Sequence, residues 1–138
     1  MKLKKFIAAK VHGYLNFEIR FDDQVTFLVG TNGSGKSTAL ALMEALLAPS
    51  LKDLALIEFE SARVEFEDSG SHNTVEVFRN EENLTIRASW VEEIASIRAL
   101  DKKRRALLQD DLVAADDYFG KLALEYSSEP ALRAISEL

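Results

Sequence analysis

Residues Gly30-Thr31-Asn32-Gly33-Ser34-Gly35-Lys36-Ser37-Thr38 constrain the fold of this chain more than any others. They satisfy the spacing G-x-x-x-x-G-K-S/T. Before them runs the almost continuously apolar Val25-Thr26-Phe27-Leu28-Val29, as expected of a strand buried on both faces of a sheet covered by helices. After them, from Lys36 to about Ala48, residues Ala39, Leu40, Leu42, Met43, Leu46 and Leu47 recur at helical spacing, and Pro49-Ser50 stops the run. Strand, glycine bend and helix therefore follow one another with no spare residues. The glycines let the bend curl its backbone N–H groups inward, and the opening turn of the helix adds unpaired amides and the positive end of a dipole. The plain alternative is a simple glycine turn with Lys36 solvated and Ser37 capping the helix. The apolar strand before the loop and the apolar helix after it are the context that favours an oxyanion cradle.

The spacing is that of the Walker A or P-loop pattern, which assigns a role to each residue. The backbone of Gly30, Thr31, Asn32, Gly33, Ser34 and Gly35 wraps the phosphates of a nucleotide, and Lys36 reaches the β and γ phosphates. Ser37 places a hydroxyl on Mg²⁺, and Thr38 stands at the α-phosphate by analogy with the same loop elsewhere. Lys36 and Ser37 are the expected catalytic contributors, ATP and Mg²⁺ the expected cofactors.

Elsewhere the hydropathy pattern reads mainly as strand, then helix. A short run near Leu3 to Ala8 and the alternating Phe17-Glu18-Ile19-Arg20-Phe21 predict strands, the second half-exposed. Ile57 to Glu67 and Val75 to Arg79 alternate on either side of a turn at 68–73, and alternation resumes from Leu84 to Trp90. These segments predict an antiparallel meander. From Val91 to about Tyr126 the pattern turns helical, with Leu108, Leu112, Ala115, Phe119, Leu122 and Tyr126 on one stripe. Gly120 weakens that helix by about 1 kcal/mol unless packing compensates. Pro130 opens a last short helix. The expected fold is α/β: a P-loop NTPase with a mixed sheet, an antiparallel meander at one edge and long helices after Trp90. Residues 1–90 form the expected nucleotide-binding lobe, and 91–138 a helical segment leading toward a second lobe. Because few parallel partners for 25–29 are present, the chain reads as the first part of a longer head.

Composition narrows the function classes. The chain has 138 residues, 47% hydrophobic and 29% charged, the balance of a single globular domain. It has no Cys, which excludes disulfides and cysteine-based zinc or redox sites. The absence of a long apolar run predicts neither a membrane span nor a recognisable export signal, so a cytoplasmic location is expected. A net charge of -6 argues against wrapping a polyanion by bulk electrostatics.

With these motifs in place, the sequence resembles the ATPase heads of the SMC, RecF and OLD type, within the ABC superfamily. The resemblance rests on T-N-G-S-G-K-S-T after an apolar strand, on Asn32, and on the strands upstream, and it runs from about Leu3 to Leu47. The stretch His12-Gly13-Tyr14 through Phe21 is similar to bacterial antiphage ATPases of the Septu and retron-associated kind. What the resemblance implies is an ATP sandwiched between two heads of a homo-oligomer, with closure passed to an effector protein or to nucleic acid through the full assembly. Heads of this kind complete their site with a signature motif in trans, a Walker B pair and a histidine switch. This chain carries no L-S-G-G-type signature, so the resemblance covers only the first lobe, which would bind ATP but scarcely hydrolyse it alone. The alternative is a regulatory or structural subunit that holds a nucleotide to fix an assembly.

Weaker matches read more plainly. Leu112 to Asp117 mimics a Walker B strand, but Leu112, Ala115 and Phe119 belong to the helical stripe. Asp117-Tyr118-Phe119-Gly120 fits a GTPase D-x-x-G without the base-reading motif that should accompany it. His12 and His72 lack metal-ligand spacing, and His12-Gly13-Tyr14 reads as a turn, with an approach to adenine or ribose as the sharper alternative. Lys102-Lys103-Arg104-Arg105, flanked by Asp101, Asp110 and Asp111, reads as a solvated helix face.

Overall fold

The computed structural model describes residues 1–21 and 36–138. The predicted strand 25–29, the loop residues Gly30, Thr31, Asn32, Gly33, Ser34 and Gly35, and the side chain of Lys36 lie outside the described residues. The strands are β1 (Lys2–Val11), β2 (Leu15–Arg20), β3 (Ser61–Asp68), β4 (Ser71–Arg79), β5 (Asn83–Ala88) and β6 (Ala95–Arg98). The helices are α1 (Lys36–Leu47), α2 (Leu51–Leu56), α3 (Lys102–Asp110), α4 (Leu112–Glu125) and α5 (Pro130–Ser136). The strands form one sheet in the order β2-β1-β3-β4-β5-β6. Every pairing among them is antiparallel, so among the described residues the sheet is not the expected mixed one, and the meander forms its body rather than an edge.

Alternation decides which face each strand buries. Phe6, Ala8, Ile19, Ala62, Val64, Phe66, Val75, Val77, Leu84, Ile86, Ala95 and Ile97 are buried on the face that carries the helices. Each large side chain so buried contributes roughly 1.5–3 kcal/mol. The opposite face is charged and paired: Lys5 with Glu18 at 3.1 Å, and Arg63 with Glu65 at 3.4 Å and Glu76 at 3.7 Å. The β3–β4 turn is tighter than the six-residue turn read from the sequence. Ser69 and Gly70 take φ of 51° and 82°, the left-handed pair a two-residue hairpin requires.

Helix α1 buries Ala39, Leu42, Ala45 and Leu46 and packs on β1, β3 and β4, while Leu40 turns away and is 43% exposed. The segment expected to be strand from Ile57 is preceded by a short helix that the hydropathy pattern missed. Ser50, which ends one helix, starts the next: its hydroxyl accepts from Asp53 N at 3.3 Å.

The predicted helix from Val91 is corrected over its first part. Ala95 and Ile97 are buried while Ser96 and Arg98 point outward, a period of two that makes β6 the last strand of the sheet. The remaining stretch is two helices, because Asp111 caps α4 by accepting from Ala114 N at 3.0 Å. That break takes Leu112, 67% exposed, off the stripe, and leaves Ala115, Phe119 and Leu122 to pack inward. The acids of the Walker B mimic, Asp116 and Asp117, are exposed on α4.

Candidate nucleotide site

Two segments meet at the start of α1. Ser37 is exposed there and Thr38 is half-buried, in the first turn of the helix. The β1–β2 turn comes to meet them. A bulge distorts β1 between Ala8 and Val11, where Lys10 adopts a φ of 54° and its N–H donates to Asn16 Oδ1 at 3.1 Å. His12 and Gly13 then take φ of 57° and 88°, folding the chain back sharply. This geometry brings His12 Nε2 to 3.1 Å from Thr38 Oγ1.

The turn is held from below by the connector that leads from α2 into β3. His12 N donates to Glu58 O at 2.8 Å, and Glu60 N donates to Ala9 O at 2.9 Å. A Cβ on Gly13 would lie 3.3 Å from the Glu58 carboxylate, which a small shift of that side chain relieves, so it is the positive φ that favours glycine here. The connector is in turn fixed by Arg79 at the end of β4. Its Nη2 donates to the carbonyls of Leu54 and Ala55, its guanidinium lies 4.9 Å from the Phe59 ring centroid, and its N–H donates to Glu60 O at 2.9 Å.

Beside this assembly open two cavities. One, of about 490 Å³, is lined by His12 and Thr38 on one side, by Leu56, Ile57 and Glu58 below, and by the Lys102–Gln109 face of α3 on the other. The second, of about 720 Å³, shares Glu58, Lys102 and Arg105 with the first and extends under Arg79 to the β4–β5 turn. Burial and the neighbouring Arg105 charge push the pKa of the Arg79 guanidinium down to about 10, with Glu58 opposing.

Residues 1–126 match the family of the AAA ATPase domain. The chain belongs to that family. No curated protein matches it. An AAA ATPase domain binds ATP, typically with Mg²⁺, and suggests ATPase activity. The described residues fit such a group on their own chemistry. A helix N-terminus with two hydroxyl side chains in its first turn borders a cavity of the size that receives small-molecule ligands, and that cavity is lined by two cations. No helix of the described residues is long and apolar enough to cross a membrane.

Of the sequence-predicted site residues, Ser37 and Thr38 are placed at one helix terminus, and Lys36 begins that helix. Sequence reasoning left His12 as a turn residue, and the structure makes it both turn and partner of Thr38. It also read the 102–105 run as a solvated face. That face is solvated, with Lys102, Lys103 and Arg104 exposed, and Lys102 and Arg105, three apart on the helix, also line the cavity. His72 stands apart, 3.4 Å from Glu65 on the charged face of the sheet.

Proposed function

We propose that Gly30 to Thr38 binds the phosphates of ATP, with Lys36 on the β and γ phosphates, Ser37 on Mg²⁺ and Thr38 at the α-phosphate. When bound, Mg²⁺ held by Ser37 would supply neutralisation of the phosphate charge. The nucleoside end then lies in the cavity walled by His12 and floored by Ile57. The observation that carries this reading is the 3.1 Å contact between His12 and Thr38, which joins that cavity directly to the last residue of the loop motif. His12 orients the Thr38 hydroxyl, and Glu58 and Arg79 hold His12 in place through the connector.

In this reading the chain is the first lobe of a head of the SMC, RecF or OLD type. Two heads close on ATP, and closure drives an effector or a nucleic-acid-acting partner, defence against phage being the role that the His12–Phe21 stretch favours. Residues 1–90 carry the nucleotide, and 91–138 lead toward the completing lobe, where the hydrolytic acids belong. Sedimentation of the protein with its completing lobe, with and without ATP and Mg²⁺, tests the assembly step. ATP should raise the mass of the wild type and leave Lys36→Ala unchanged as a monomer. A nucleotide-independent mass in both proteins would contradict ATP-driven pairing. Collapse of a standing complex in Lys36→Ala would favour a structural nucleotide instead.

A further inference from the structure

Helix α4 packs inward through Ala115, Phe119 and Leu122. The line Val113, Asp117, Gly120, Leu124 recurs at three- and four-residue spacing on the opposite side, where a surface helix is ordinarily polar. Its two ends are apolar instead. Val113 is 82% exposed and Leu124 77%, the most exposed of the large apolar side chains among the described residues. The neighbouring helices stand to the sides of this line: α2 meets α4 through Lys52 and Asp116 at 3.6 Å, and α3 through the Arg104 guanidinium, 5.5 Å from the Tyr118 ring centroid.

The middle of the line carries its own charge order. Asp117 pairs with Lys121 at 3.3 Å, both exposed, the acid nearer the start of the helix and the base nearer its end. Gly120 lies between them with open space above it, so a second helix can come close there. These features match one surface above all, the same helix turned end for end. A second α4 laid antiparallel across the midpoint, about a two-fold axis, sets Val113 of each copy against Leu124 of the other. The same operation keeps each flank on its own side, so Asp117 of each copy meets Lys121 of the other and the four charges alternate in sign. A parallel pair would set Asp117 against Asp117 and Lys121 against Lys121, which like charges disfavour.

We propose that the outer face of α4 is a docking surface for a second copy of this chain, with the two helices crossing antiparallel. It needs no nucleotide and does not rest on the reading of Gly30 to Thr38. One helix face buries less than the roughly 1,200 Å² of a stable complex, so the pairing is weak and the dilute chain stays monomeric. Each contact occurs twice, so a single substitution changes two contacts in the dimer.

The test is sedimentation equilibrium of the full chain without nucleotide, at protein concentrations rising to about 1 mM. The proteins compared are wild type, Val113→Asp, Leu124→Asp, Asp117→Lys and the double variant Asp117→Lys with Lys121→Asp, each shown folded by its thermal melt. The wild type should move from monomer to dimer, each single variant should weaken association about tenfold, and the double variant should recover it. Cross-linking gives the orientation, because the chain has no Cys and introduced thiols are its only ones. Under mild oxidation a mixture of Val113→Cys and Leu124→Cys chains should link, while each variant alone should not. Like positions in the antiparallel pair stand about 16 Å apart along the axis, beyond the reach of a disulfide. A wild type that stays monomeric throughout, or a dimer that the α4 substitutions leave unchanged, would overturn the proposal. Linking of each Cys variant to itself but not to the other would overturn the antiparallel arrangement.

Discussion

Arg79 joins several elements. It ties the end of β4 to the last carbonyls of α2, covers the ring of Phe59 and hydrogen-bonds the connector that supports His12. Two opposing effects act on it. Its folded-state pKa is depressed to about 10, so between that pH and its higher ordinary value the unfolded chain holds a proton the folded chain releases, and stability from this group rises with pH there. At neutral pH the charge is therefore a cost, set against charge-assisted bonds of roughly 1.5–3 kcal/mol each and the contact with Phe59. The bonds should win. Arg79→Ala is expected to lower stability by about 2 kcal/mol in urea unfolding, and to weaken ATP binding as His12 loses its support. An unchanged urea midpoint would mean that the desolvation cost cancels the bonds. The positive φ of Gly13 places a second constraint on the turn.

At the scale of elements, α4 offers a simple check. Gly120 lies inside this helix on its exposed side, and a Cβ there would meet nothing within 4 Å. Gly120→Ala should therefore raise the urea midpoint by an amount corresponding to about 1 kcal/mol, whereas a fall would show that the exposed side of α4 is covered in solution. The elements legible in the sequence were those whose local pattern coincides with their burial. β1 to β5 alternate because one face meets helices and the other meets water, and α1 follows from apolar spacing after a glycine loop. Three features escaped. Only six residues long, α2 was hidden because Pro49-Ser50 reads as a stop although Ser50 also caps the next helix. β6 has only two inward residues, too few for a period of two to stand out beside a long helical stripe. The separation of α3 from α4 turns on one cap at Asp111. At the site, the loop motif was readable because its chemistry is local. The docking of His12 on Thr38 joins residues 26 apart, and the Gln109–Leu56 bond joins residues 53 apart, so neither leaves a trace in spacing.

At the scale of the whole molecule, the described residues form a six-stranded antiparallel sheet, one face of which carries the helices while the other is charged. The β1–β2 turn, the connector after α2, the start of α1 and the start of α3 converge on a single region beside that sheet. Elements distant in sequence thus surround the helix terminus where the glycine motif ends. Membership of the AAA ATPase domain family over residues 1–126 accords with that convergence. The most direct measurement is an equilibrium titration of the purified chain, shown to be folded, with labelled ATP in the presence of Mg²⁺. Saturable binding by the wild type that disappears in Lys36→Ala is the expected result. No saturable uptake by the wild type, or equal uptake by the variant, would contradict a triphosphate held at the start of α1.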